Sequence, residues 1–257
     1  MSKKELLHYQ LQKAPNATQT MVFLHGLFGD LNNLGVVARA FAEQYNILKV
    51  DLRNHGQSFH SDTMNYQAMA EDLRDLLNHL KINNAIVIGH SMGGKTAMRL
   101  THIAPDLVSK LIVIDIAPVA YALNRHDTIF AGLYAVKNAK PANRTEARNA
   151  IAEAISDEGI QLFMLKSFDP NSPELFKFNL SGLKQNYENI MDWEKVSVEK
   201  PTLFIKGELS DYLQEKDTQT ILEQFPNAKS FIVSKADHWV HAEKPDAVIR
   251  ALQKFLA

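Results

Sequence analysis

Cysteine is absent from the 257 residues, which removes disulfides, thiolate nucleophiles and Cys-ligated zinc or iron–sulfur centres from consideration. That usage is compatible with a reducing compartment. Charge of one sign is equally scarce. Lys plus Arg number 28 against 29 Asp plus Glu, a formal net charge of −1, and no basic tail or stripe offers a partner for a nucleic-acid backbone. A long hydrophobic run is missing too: the apolar stretch near Leu111 to Leu123 is too short to span a bilayer and contains Asp115. Lys3 and Lys4 are followed by no apolar segment of signal-peptide length. The expectation is a soluble, cytoplasmic protein with no nucleic-acid partner and no membrane insertion. Internal repeats, low-complexity segments and long exposed heptads are also lacking, so the oligomeric state is left open.

What the chain does have is apolar content, 46% of residues, enough for one large domain or a domain carrying a sizeable insertion. Leu7, Tyr9 and Leu11 alternate with His8, Gln10 and Gln12, the period of a half-solvated edge strand. Denser runs follow at 21–26 (MVFLHG), 46–51 (NILKVD), 85–90 (AIVIGH), 111–118 (LIVIDIAP), 202–207 (TLFIKG) and 230–236 (SFIVSKA). Their nearly uninterrupted apolarity predicts strands covered on both faces. Between them, Tyr66, Met69, Ala70, Leu73, Leu76, Leu77 and Leu80 fall on one helical face. A last helix runs from Pro245 through Val248, Leu252, Phe255 and Leu256, with the proline suited to its first turn. Strands alternating with such helices make the fold class α/β, a mostly parallel sheet with helices on both sides.

The stretch from about Val119 to Lys200 breaks this rhythm. It has helix-like segments at 127–136, 144–155 and 158–168 but no clear strand. The organisation read from this is a core of residues 1–118 and 201–257 with a helical cap, 119–200, inserted over the ligand-binding edge of the sheet. Phe130, Leu133, Phe163, Met164, Leu165 and Phe168 are expected to pack the cap helices together.

The most informative residues are Gly89, His90, Ser91, Met92 and Gly93, a G-x-S-x-G between an apolar strand and a plausible helix. Small neighbours let a serine occupy a tight turn that lifts its hydroxyl above the sheet. The same turn aims the Met92 amide and the helix N-terminus at charge developing on an attacked carbonyl. A second turn, His25 to Gly29, follows strand 21–24; its glycines let backbone approach an oxyanion, with the Leu27 amide as the second donor and Phe28 as an alternative. His25 is read as a loop-organising residue.

On HGLFGDLNNLG (25–35), DLRNHGQS (51–58), GHSMGGK (89–95), DIAPV (115–119) and HWVHAEKPD (238–246), the chain resembles the α/β-hydrolase superfamily, and closely its small YbfF-type bacterial esterases. The resemblance covers essentially the whole chain. It implies an eight-stranded, mostly parallel sheet, a helical cap after the sixth strand, and carboxyl-ester hydrolysis through an acyl-enzyme without any cofactor. Leu27 and Met92 match the family's oxyanion positions, and His238, in a loop before the terminal helix, stands where the superfamily places its catalytic histidine.

A neutral imidazole at His238 takes the Ser91 proton and returns it to the leaving group, provided a carboxylate holds its other nitrogen. His241, three residues on, raises a two-histidine metal pair, but no third ligand accompanies it, so it is read as a capping or packing residue. Asp51, Arg53 and His55 are read as loop braces and Lys95 as structural. Two positions compete for the acid: Asp115, ending strand 111–114, and Asp211, after strand 202–207. The usual superfamily acid position falls on Ser210, one residue before Asp211, whereas DIAPV matches a subgroup in which Asp115 serves. Asp115 is preferred, with Asp211 left to cap a helix beginning near Tyr212. The substrate expected is a small acyl ester or thioester. The alternatives are a cofactor-free perhydrolase or haloperoxidase-like enzyme, a carbon–carbon bond hydrolase, and a non-catalytic binding protein.

Overall fold

A computed structural model describes residues 5–257. Seven strands form one sheet in the order β1-β3-β2-β4-β5-β6-β7: β1 Tyr9–Gln12, β2 Thr20–Leu24, β3 Asn46–Val50, β4 Ala85–His90, β5 Val108–Ile114, β6 Thr202–Gly207 and β7 Ala228–Val233. Only β1 runs antiparallel, against β3. The expected eighth strand is not found among the described residues, because β1 is itself the edge and pairs on one side alone. The helices are α1 Gly35–Arg39, α2 Tyr66–Leu80, α3 Met92–Ile103, α4 Asp127–Ala139, α5 Arg144–Ala152, α6 Glu158–Leu165, α7 Leu180–Gln185, α8 Tyr187–Met191, α9 Thr218–Gln224, α10 Val240–Glu243 and α11 Pro245–Leu256. None among the described residues is long and apolar enough to cross a membrane.

The two-residue period of the strands sorts their apolar side chains into two cores. Met21, Phe23, Ile86, Ile88, Ile112 and Ile114 face Val37 of α1 and Val248 and Leu252 of α11. Val22, Leu24, Val87, Leu111 and Val113 face α2, α3 and the cap. Every residue of β2 and β4 is buried, as their continuous apolarity requires. The run at 230–236 departs from that expectation: β7 is an edge strand, paired with β6 alone among the described residues, and Ile232 is 61% exposed. Apolar sequence alone does not distinguish a central strand from an edge strand whose outer face is bare.

Local chemistry starts and stops the helices where the periodicity places them. Asn65 caps α2 by accepting from the Ala68 amide at 2.8 Å, and Lys81 ends it in the left-handed region at φ 56°. Pro245 opens α11. Between β5 and β6 the chain forms α4–α8, the helical cap, whose two short last helices were not anticipated. One isolated bridge, Phe168 with Phe176, is the cap's sole departure from helix and loop.

The cap is continuous with the core on the α2/α3 side. Phe28 packs against Phe130 and Phe178 at centroid distances of 5.4 and 5.3 Å, contacts of a kind that contribute about 0.5–1.5 kcal/mol each beyond burial. Tyr66 donates to the Ile190 carbonyl at 2.7 Å, and Asn186 accepts from the Met64 amide at 3.0 Å. Phe130, Leu133, Met164 and Leu165 are buried as expected. Phe163 is not a simple packing residue: its ring meets Trp239 of the core at 4.9 Å and lines the cleft between the two layers.

Candidate active site

The parallel register sets the C-terminal ends of the central strands side by side, Leu24 opposite Gly89, His90 opposite Ile114 and Ile114 opposite Ile205. Loops leaving this edge therefore converge, as open α/β sheets require of a ligand site. Ser91 sits between β4 and α3 at φ 53°, ψ −122°, a strained conformation for a residue with a Cβ. Two glycines make it feasible. A methyl at Gly89 would stand inside contact distance of the Gly93 carbonyl, and one at Gly93 inside contact of the Leu24 and His25 carbonyls.

His238, in the loop between β7 and α10, places Nε2 3.1 Å from Ser91 Oγ and Nδ1 2.7 Å from Asp115 Oδ2. Asp115 is fully buried just past β5. Its other oxygen accepts from the Gly207 amide at 2.9 Å, and Ser210 Oγ donates to Oδ2. Burial pushes the Asp115 carboxyl up, opposed by these two donors. Burial, and then the nearby Arg125 charge, holds His238 below its ordinary value and so in the neutral, proton-accepting form.

Asp211, the competing acid, does not reach the imidazole. Its side chain is 69% exposed and pairs with the Arg125 guanidinium. Nor does it cap a helix at Tyr212: the next α-helix begins at Thr218, after a single 3-10 turn at Glu215–Asp217. Ser210, at the usual superfamily acid position, instead supplies a hydrogen bond to Asp115.

Of the two amides considered after β2, Phe28 N–H is committed to His55 Nε2 at 3.1 Å. Leu27 and Met92 donate to no acceptor among the described residues, and both line the space in front of or behind Ser91. His25 braces its loop, donating from Nδ1 to the Gly26 carbonyl at 2.8 Å and accepting from the Leu52 amide at 3.0 Å. Asp51 accepts from the Leu31 and Gln57 amides at 2.8 and 3.0 Å, while Arg53 forks onto Asp72 at 2.6 and 2.9 Å.

His241 is buried in α10, its ring 4.3 Å from that of His90, with Nδ1 unbonded to protein. His90 donates from Nε2 to the His238 carbonyl at 2.9 Å and so fixes the backbone of that loop. Lys95 is buried among the rings of Tyr121, Tyr66 and Trp193, 4.8, 5.4 and 5.4 Å from its ammonium. Burial lowers it to about 7, an effect opposed by Asp192; the three aromatic faces favour the charged form as well.

Two hollows meet at Ser91. An outer cleft of about 390 Å³ runs between Phe163, Trp239, Ile129 and Arg125. An inner hollow of about 30 Å³ lies behind the serine against Lys95, Ile116, Tyr121 and Met191. Sequence reasoning missed Arg125, Ser210, Tyr212 and Trp239, whose place in the site depends on contacts between distant segments; only the DIAPV match hinted at a serine freed from the acid position.

A family profile for the alpha/beta hydrolase fold matches residues 19–245. The chain belongs to the α/β-hydrolase family. This hydrolase is 56% identical over 255 residues to a Haemophilus influenzae protein named as an esterase/lipase, spanning 98% of this chain and 89% of the relative. It is 45% identical to the esterase YbfF of Escherichia coli, over 97% of this chain and 98% of that one. Among solved structures, a marine microorganism esterase superposes with a TM-score of 0.91 at 35% identity, covering 98% and 100% of the two chains.

Proposed function

We propose that this α/β-hydrolase is a serine esterase that cleaves small carboxylic esters or thioesters through an acyl-enzyme, with Ser91 as nucleophile, His238 as general base and Asp115 as the acid of the relay. The observation that carries the reading is the unbroken chain from Ser91 Oγ to His238, 3.1 Å, and from His238 to Asp115, 2.7 Å. The esterase relatives and the superposed esterase point the same way.

In this reading the neutral imidazole accepts the Ser91 proton as Oγ attacks the acyl carbon. The amides of Leu27 and Met92 stabilise the oxyanion, a contribution worth about 2.7–4 kcal/mol for a single donor in comparable sites. The imidazolium then protonates the departing alcohol or thiol, and water repeats the sequence to release the acid. The inner hollow behind Ser91 is far smaller than the outer cleft, about 30 against 390 Å³, which favours a short acyl chain there and leaves the outer cleft to the leaving group. A cytoplasmic location belongs to the proposal, on the cysteine-free composition.

The test is fluorophosphonate labelling with peptide mapping, followed by an acyl-chain panel. Label is expected on Ser91, and Ser91→Ala is expected to abolish it and lower turnover by about 10³-fold or more with the fold intact. A folded Ser91→Ala protein with wild-type turnover would sink the assignment. Running peroxide and diketone substrates beside a simple ester separates the perhydrolase and carbon–carbon readings from this one.

A further inference from the structure

The imidazole of His238 is fixed at both nitrogens, yet a ring pinned at two atoms on one line is still free to rock about that line. The loop after β6 supplies what stops it. The Tyr212 ring lies flat on His238, centroids 3.7 Å apart and planes 17° from parallel. The guanidinium carbon of Arg125 stands 3.7 Å from the same Tyr212 centroid. Two groups at that distance cannot share one face of a ring, so Tyr212 is sandwiched between His238 of the core and Arg125 of the cap segment.

Its remaining atoms are held as well. The Tyr212 hydroxyl is 3.0 Å from His126 Nε2, and His126 Nδ1 is 2.6 Å from the Tyr187 hydroxyl, so the outer end of the ring is tied to α8 of the cap. Burial keeps His126 neutral, so its ring carries one proton and serves one of these bonds as donor and the other as acceptor. On the main chain, the Tyr212 amide donates to Ser210 Oγ at 3.2 Å, and Ser210 in turn donates to Asp115. The Tyr212 carbonyl accepts from the Tyr121 hydroxyl, which also accepts from the Ala117 amide at 2.9 Å. One residue thus touches the base and is bonded to the serine that holds the acid and to the cap.

We propose that Tyr212 is a positioning residue for His238: its ring, held against the imidazole by Arg125 from the cap segment, sets the plane of the imidazole so that Nε2 stays on line with Ser91 while Nδ1 stays on Asp115. The ring also presents its electron-rich face to the imidazole, which favours the imidazolium formed during proton transfer. Seating of the cap and orientation of the base are thereby one event.

The inference rests on His238 acting as base, and the experiment separates the two. Tyr212→Leu removes the flat ring; Tyr212→Phe keeps it and removes only the hydroxyl tie to His126. With a short-chain ester, Tyr212→Leu is expected to lower kcat about 30-fold, as small misplacements of a catalytic group do, with KM within about twofold. Tyr212→Phe should stay within about threefold of wild type in both. Should the leucine variant fail to fold, Tyr212→Met carries the same expectation. Wild-type kcat in a folded Leu or Met variant overturns the positioning role while leaving the esterase reading untouched. A rise in KM alone makes Tyr212 a substrate wall, and a loss in the Phe variant equal to that in Leu transfers the role from the ring to the hydroxyl; either outcome overturns the proposal. If the wild-type protein takes no label at Ser91, the esterase reading fails and the positioning role falls with it.

Discussion

Two neighbouring strands each end beside a carboxylate, and the two carboxylates live in different physical worlds. Asp115, past β5, is fully buried and accepts from His238, Gly207 and Ser210. Asp211, past β6, is largely exposed and pairs with Arg125. A buried charge without partners is expensive, so only the end that supplies several donors can hold one. Here Gly207 and Ser210, from β6 and its loop, are the donors that make the end of β5 habitable. The address of the proposed relay acid is therefore a property of the pair of strand ends rather than of either one.

The sharpest way to break the comparison is to neutralise each carboxylate without changing its shape. Asp115→Asn is expected to reduce kcat by up to about 10⁴-fold, the size seen when a relay acid is lost elsewhere, because an amide in that place presents the wrong hydrogen-bonding pattern to His238 Nδ1. Steady-state kinetics below the melting transition, with circular dichroism for the fold, decide it; near-wild-type kcat refutes the assignment.

Acid tests the molecule more widely, because burial keeps six imidazoles neutral, His25, His55, His90, His126, His238 and His241 all being held below 6.5, whereas Asp115, pushed up to about 6, works the other way. The unfolded chain binds protons at these positions as pH falls below about 6.5 while the folded chain does not. Stability present above that pH is lost on acidification, by up to about 1.4 kcal/mol per pH unit for each histidine. A Tm that is level near pH 7–8 and collapses between about pH 6 and 4 is expected. A flat profile down to about pH 4 would contradict it.

Ser210→Ala removes one donor to Asp115 and leaves the other two. A hydrogen bond to a charged group is worth about 1.5–3 kcal/mol, part of which solvent or local adjustment recovers, so kcat should drop about tenfold. An unchanged rate would show that the serine merely fills space. Smallest of all, Asp211→Asn should alter kcat by no more than about twofold and stability by about 0.5 kcal/mol or less, as exposed ion pairs do. A loss of orders of magnitude there, measured beside Asp115→Asn, would reverse the comparison.

The strands and the serine turn were legible because burial on both faces and tight turns leave marks in local composition: AIVIGH and G-x-S-x-G need no distant partner to be read. The bare outer side of β7 was not, since Ile232 is as apolar as any core residue. Helices α7 and α8, at 6 and 5 residues, are too short to show a period. Arg125, Ser210 and Tyr212 acquire meaning through contacts with distant segments, Asp211 with Arg125 and Tyr212 with His126 across 86 residues and Ser210 with Asp115 across 95, and spacing along the chain carries no trace of those.

The cap also has a consequence in time. β5 and β6 pair directly, Leu111 against Thr202, although the whole cap lies between them in the chain. The bonds of His238 to Asp115 and to Ser91 close loops of 123 and 147 residues. Lengthening a loop adds little free energy, about 0.6 kcal/mol per doubling, but pairings this distant slow folding. The turn around Ser91 is built from β2, β4, β5 and α3, whereas His238 comes with β7 and α11. In vectorial synthesis the segment around Ser91 therefore emerges well before the segment that carries His238, and in the proposed mechanism the two meet only once β7 and α11 have docked.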